Sequence, residues 1–170
     1  MKNLKKWSSL LVLLLGVLMV VGLVACGERP QSQTASGREE IINYIDKMLP
    51  VMERHADWFD DQNALSQERG LTYEEGLYRL RELSDRMEQI YLDVEKSIPP
   101  PVLRNYKHKW SQVCQLNLQS VTLAIQIIQE GNTALLTQLN EVTFRANDLK
   151  TEADEELIDI LAEHDIPFNP

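Results

Sequence analysis

Residues 72–101 read TYEEGLYRLRELSDRMEQIYLDVEKSIPPP. Thr72 and Glu75 form an S/T-x-x-E capping box, which starts a helix. The predicted inward stripe then alternates spacings of four and three, the period of one helix face; it comprises Tyr73, Leu77, Leu80, Ser84, Met87, Tyr91, Val94 and Ile98, widened by Leu83 and Ile90. Pro99-Pro100-Pro101 ends the helix, because the residue before a proline avoids helical backbone.

The stretch before this helix shows the same alternation. Ser36-Gly37-Arg38-Glu39 is a second capping box, which predicts a helix start at Ser36. The stripe that follows is Ile41, Ile45, Met48, Met52, His55 and Phe59. Because an interior proline removes a hydrogen bond, Pro50 predicts a bend near residues 48–50 or two shorter helices. We expect the helix to run on through Leu65, with Gly70 just past its end.

Two further helices are predicted after the prolines. The third has the inward stripe Leu103, Tyr106, Trp110, Val113, Asn117, Val121, Ala124 and Ile128. Gly131-Asn132 indicates a tight turn, since helices favour glycine just past their end. The fourth has the inward stripe Leu135, Leu139, Val142, Ala146, Leu149, Ala153, Leu157 and Ile160.

No stretch alternates with the period of two that is typical of a strand. Four amphipathic helices, with two of their connections short, predict an all-α fold, an antiparallel up-down-up-down four-helix bundle over residues 36–166. A three-helix bundle, or two helical hairpins that dimerise, is the alternative.

The N-terminus has the pattern of a secretory signal. Lys2, Lys5 and Lys6 precede an apolar run over residues 10–25 that ends in small residues. Leu23-Val24-Ala25-Cys26 resembles the bacterial lipobox. That resemblance implies cleavage between Ala25 and Cys26 and acyl chains on Cys26. The alternative is an uncleaved signal anchor in which Cys26 is an ordinary residue.

These features divide the chain into a signal peptide over residues 1–25, a lipidated flexible tether over residues 26–35 and the bundle. The protein is therefore expected to be lipid-anchored and extracytoplasmic, on the cell membrane or the outer membrane. Gly27 differs from the aspartate that retains proteins of this class at the inner membrane. In a two-membrane cell, that resemblance implies the outer membrane.

Charge narrows the class of partners. Loss of residues 1–25 removes three lysines and no acidic residue, which leaves 14 basic and 26 acidic residues and a net charge of −12. This argues against nucleic acid, whose phosphates need basic contacts. It also argues against electrostatic docking on anionic lipid, so membrane attachment depends on the acyl chains of Cys26.

The sequence contains no motif that indicates an enzyme or a cofactor site. No histidine has a glutamate three residues before it, so the Glu-x-x-His pair of the di-iron bundles is absent. No H-E-x-x-H or G-x-S-x-G motif occurs either. With Cys26 acylated, Cys114 has no disulfide partner; mid-helix among apolar neighbours, it is interpreted as a buried, inert thiol. We expect a non-catalytic protein without metal or cofactor.

Two groups of residues are candidates for ligand binding. One is His55 and Trp58, at or beside the inward stripe of the first helix, although core packing is the default for both. The other is the basic patch, defined as Arg104, Lys107, His108 and Lys109 interleaved with Tyr106 and Trp110, which would suit an anion or a lipid headgroup. The favoured interpretation of the patch is neutralisation by the acidic end of the fourth helix, which carries Glu152, Asp154, Glu155, Glu156, Asp159, Glu163 and Asp165.

Two functions follow from these observations. The first is a lipid-anchored, non-catalytic helical module that binds or spaces another cell-envelope component, with an envelope protein as its partner. The second is a bundle that binds a small ligand or a metal. A solid apolar core with an exposed apolar strip would favour the first, and an inward polar cluster beside a cavity would favour the second.

Overall fold

The computed structural model describes residues 32–167. This part of the chain is a bundle of four helices: α1 Ser32–Gln67, α2 Tyr73–Lys96, α3 Arg104–Glu130 and α4 Leu136–Glu163. Two 3₁₀ turns lead into the last two helices, Pro101–Leu103 before α3 and Thr133–Leu135 before α4. No strand occurs within residues 32–167, so the predicted all-α helical bundle is confirmed. The signal peptide, Cys26 and the tether up to residue 31 lie outside the described residues.

Helix α1 is longer than the sequence predicted. It begins at Ser32, so Ser36 lies inside the helix and the expected start at a capping box there is wrong. No proline or glycine lies between Ser32 and Ser36, so nothing in that stretch stops helical backbone from forming earlier. Pro50 also lies inside α1, which rules out two shorter helices.

Several predicted helix ends are confirmed. Helix α1 runs through Leu65, and Gly70 adopts the left-handed backbone conformation at φ +89°. Thr72 caps α2 as predicted: its side chain accepts a hydrogen bond from the backbone N–H of Glu75, and the Glu75 carboxylate accepts one from the backbone N–H of Thr72. The Thr72 hydroxyl also donates to the Glu75 carboxylate, and this bond, together with the one from the Thr72 backbone N–H, holds the pKa of Glu75 below its ordinary value. Gly131 caps α3 with φ +64°.

The buried face of α1 differs from the predicted stripe. The buried residues on it are Ile41, Tyr44, Met48, Val51, His55 and Trp58. The predicted members Ile45, Met52 and Phe59 are only half-buried at the edge of the core. The face is rotated by about one residue, because Tyr44 and Trp58 bury large rings whose polar atoms have partners inside the bundle.

Surface ion pairs at intervals of seven residues link α1, and the residue just past its end, to α2. Arg54 pairs with Asp93 at 2.7 Å and Asp61 with Arg86 at 2.6 Å, and Glu68 pairs with Arg79. Residue numbers rise along α1 as they fall along α2, so the two helices run antiparallel. A parallel alignment would place Arg54 beside Arg79, and such like-charge pairs disfavour it.

Contacts between the later helices also run in opposite chain directions. Lys107 of α3 pairs with Glu95 at the end of α2. Lys109, near the start of α3, pairs with Glu152 and Glu156 in the last part of α4. The main hydrophobic core takes buried residues from all four helices, so the three-helix alternative is wrong. No helix within residues 32–167 is long and apolar enough to cross a membrane.

Gly76 offers a direct test of the α2 backbone. We expect Gly76→Ala to raise the free energy of unfolding by about 0.5–1 kcal/mol, because glycine inside a helix loses more conformational entropy than alanine. A Cβ at this position meets no atom within 4 Å. Urea unfolding of the unacylated chain measures the change. Gly131→Ala is the control and should lower the free energy of unfolding, because its φ of +64° is strained for alanine. A loss of stability in Gly76→Ala would contradict the placement of Gly76 inside α2.

Candidate functional site

His55 lies in the core and not in an open site. Only 3% of its surface is exposed, and its Nε2 lies 2.9 Å from Nδ2 of Asn117 on α3. An amide nitrogen only donates, so Nε2 accepts this bond and the neutral ring carries its proton on Nδ1. His55 and Asn117 are therefore hydrogen-bonded to each other within the bundle.

Two tryptophans enclose the imidazole of His55. The Trp110 ring meets it edge to face, with centroids 5.1 Å apart and planes at 85°. The Trp58 ring is tilted against it at 6.1 Å, and Trp58 Nε1 donates to the Leu83 carbonyl oxygen of α2 at 2.7 Å. Trp58 is completely buried. These contacts make His55 and Trp58 part of the packing that joins α1, α2 and α3.

Burial lowers the pKa of His55 to about 4, and the positive charge of Lys150 adds to the effect. Protonation would also place a second donor opposite the Asn117 amide group. The histidine is thus held neutral by its surroundings.

The free energy of unfolding should therefore depend on His55 between pH 6.5 and pH 4. An unfolded histidine titrates near pH 6.5, so the unfolded state binds more protons than the folded state in this window. The contribution of neutral His55 to the free energy of unfolding is fully present above pH 6.5. It falls by about 3 kcal/mol as the pH drops towards 4. Urea unfolding at several pH values, compared with His55→Gln, isolates the contribution. Equal pH dependence in the two proteins would refute it.

Trp110 and Tyr106 complete the aromatic part of this core. The Tyr106 hydroxyl donates to Met52 Sδ at 3.4 Å, and burial raises its pKa well above the ordinary value for tyrosine. Trp110 is 1% exposed, and its Nε1 has no hydrogen-bond acceptor among the described residues. Lys150 Nζ lies 5.9 Å from the centre of its ring. Trp110 is therefore a core residue of α3 and not part of an exposed basic patch.

Asn117 tests the value of the bond to His55. We expect Asn117→Ala to lower the free energy of unfolding by about 1–3 kcal/mol, because it leaves the buried Nε2 without a donor. Gln115→Ala on the same helix is the matched control. The Gln115 amide donates to the Tyr91 hydroxyl on the surface, so its loss should change stability by less than about 0.5 kcal/mol. Equal effects in urea unfolding would refute the role of Asn117.

Lys109 of the basic patch is neutralised by carboxylates of α4. Lys109 lies 3.1 Å from Glu156 and 3.5 Å from Glu152, and the hydrogen bond to Glu156 raises the pKa of Lys109. Asn105 also donates to the Glu156 carboxylate. The favoured interpretation, neutralisation by the acidic end of α4, is confirmed for Lys109.

The other residues of the patch have separate surroundings. Lys107 pairs with Glu95 of α2 at 3.6 Å. His108 Nε2 lies 3.0 Å from the Gln112 amide on its own helix. Arg104 is exposed at the start of α3 and makes no ion pair with any residue the structure describes. Arg104, Lys107, His108 and Trp110 therefore do not converge on one ligand.

Cys114 is a core residue, as the sequence indicated. It is completely buried, and burial raises the pKa of its thiol to about 12. The reactive thiolate is strongly disfavoured there. Across residues 32–167, no cluster of three or more His, Cys, Asp or Glu side chains is placed to hold a metal ion.

The structure shows one feature that sequence reasoning missed. A groove of about 500 Å³ opens at the end of the bundle where α1 and α3 finish and α2 and α4 begin. We call it the distal groove. Its lining comes from all four helices and the loop before α2: Gln62, Leu65, Ser66, Leu71, Thr72, Tyr73, Gly76, Leu80, Ser120, Val121, Ala124, Ile128, Leu139, Asn140 and Thr143.

The distal groove is apolar and uncharged. None of the fifteen described residues that line it is charged, although charged residues make up a quarter of the chain. Small residues leave the space open: Gly76 on α2, with Ser120 and Ala124 on α3. Sequence patterning marked Leu65, Ala124 and Leu139 as apolar, and only the helix register shows that small residues meet at this level.

Comparison with protein-family models, with curated proteins and with solved structures finds no match to this chain.

Proposed function

We propose that the protein is a membrane-anchored, extracytoplasmic lipoprotein. Its bundle acts as a non-catalytic module that binds or spaces another component of the cell envelope. The observation that carries the proposal is the lipobox-like Leu23-Val24-Ala25-Cys26, which closes an apolar run behind three lysines. Acyl chains on Cys26 would hold the protein on the membrane, since two or more chains give stable anchoring.

The distal groove supports the binding part of the proposal. It is an exposed apolar feature beside a packed core, the combination expected for a module that docks another component. Around it, Tyr73, Ile128 and Leu136 remain substantially exposed. Pockets of this type, apolar with a few uncharged polar groups, are common between the helices of bundles.

The second candidate function, binding of a small ligand, has a different basis from the one the sequence suggested. His55 and Trp58 are occupied by core contacts, and the basic patch is dispersed among separate partners. The distal groove, with a volume of about 500 Å³, now supports this candidate. Both candidate functions therefore use the same surface.

The position of the groove suits an anchored module. Helix α1 begins six residues after Cys26, and the groove lies beside the other end of that helix. A helix of 36 residues is about 54 Å long. An upright bundle would hold the groove well clear of the lipid surface. Gly27 supports placement on the outer membrane where the cell has two membranes.

The anchor is tested by Cys26→Ser. We expect the substituted protein to leave the membrane fraction, because removal of the acyl chains removes the attachment that an acidic domain cannot replace. Fractionation of the cell envelope followed by immunoblotting measures the change. Cys114→Ala is the control and should stay with the membranes. Tight retention of Cys26→Ser in the membrane fraction would refute the lipoprotein proposal.

A further inference from the structure

We infer that the distal groove binds one uncharged acyl chain of a neutral lipid. The inference deepens the proposed function, because it names the chemistry of the component that the groove takes.

The capacity of the groove fits a single long aliphatic chain. An apolar cavity of about 150 Å³ accommodates the six carbons of benzene. At the same ratio, the 500 Å³ of the distal groove holds roughly 20 carbon atoms. A docked helix fits less well, because it is about 10–12 Å across and rises 5.4 Å per turn. The groove would take only about one turn, whereas helix-in-groove recognition uses anchors spread over two or more turns.

The lining is suited to a chain without charge. Leu65, Leu80, Ile128 and Leu139 present aliphatic surface from the four different helices. Gln62 of α1 and Asn140 of α4 add uncharged amide groups, which can donate hydrogen bonds to an ester carbonyl. No cation lines the groove to receive a carboxylate. Because the groove offers a carboxylate no cation to pair with, an esterified chain suits it better than a free fatty acid.

The lipid proposed on Cys26 of the same copy does not reach the groove. From Cys26 to Ser32 the chain spans at most about 20 Å, and an acyl chain adds about 15 Å, half the hydrocarbon core of a bilayer. Helix α1 alone is about 54 Å long, so the protein's own lipid falls short. At the other end of the described residues, the 28 residues of α4 place Glu163 about 42 Å from the start of that helix, where the groove lies.

Photolabelling tests the inference on the full acylated chain in phosphatidylcholine vesicles. The probe is a monoacylglycerol of about 16 carbons with a diazirine at the chain end, added from the water phase. We expect labelled peptides from residues 62–80 and 120–143, and at least about tenfold weaker labelling by the matching free fatty acid. Labelling confined to other regions, or equal labelling by the two probes, would overturn the inference.

Gly76 supplies a matched pair of variants. Its Cβ position points into open space, so Gly76→Phe fills the groove while Gly76→Ala changes little of its volume. We expect about tenfold less labelling of Gly76→Phe and less than a twofold change for Gly76→Ala. Ala124→Phe on α3 repeats the test from another wall, and circular dichroism confirms that each variant is helical. Unchanged labelling of both phenylalanine variants would overturn the inference.

Two further outcomes separate this inference from the proposed function. Vesicle flotation reports the Cys26 anchor, whereas labelling reports the groove, so either can fail alone. The second outcome is that no lipid probe labels the groove, while the unsubstituted protein captures an envelope protein that Gly76→Phe does not. In that case a protein segment occupies the groove and the acyl-chain inference is wrong.

Discussion

The arrangement of the bundle depends on large, buried side chains of α1 whose polar atoms find partners on other helices. Trp58 donates to the Leu83 carbonyl of α2, and His55 accepts from Asn117 of α3. Near the other end of α1, the Tyr44 hydroxyl lies 3.1 Å from Ser97 Oγ, just past the end of α2. An unpaired buried polar group costs about 1–3 kcal/mol, so each bond favours one rotation and one register of α1.

That constraint also positions both ends of the molecule. With α1 fixed, its beginning at Ser32 carries the chain towards Cys26, while Gln62 and Leu65 near its other end form a wall of the distal groove. The proposed anchor and the proposed binding surface therefore lie at opposite ends of one helix. This separation is why a lipid on Cys26, as proposed, would not reach the groove beside the same helix.

Apolar periodicity predicted the bundle because four stripes can leave water only by facing one another. It misplaced the inward face of α1, because Tyr44 and Trp58 carry polar atoms and can lie inside or at the surface. Only their hydrogen-bond partners in the structure show that both are buried. The charges at Arg54, Asp61 and Glu68 recur every seven residues. This spacing is visible in the sequence and indicates antiparallel pairing with α2. The site was harder to predict: Lys109 is neutralised as expected, but the groove arises from small residues on separate helices.

The central claim is that the mature protein begins at an acylated Cys26. Intact-mass spectrometry of the protein extracted from its own cell envelope tests this most directly. The account predicts a chain that starts at Cys26 and carries the added mass of a diacylglycerol, with or without a further acyl group. An unmodified chain that still begins at Met1 would contradict it.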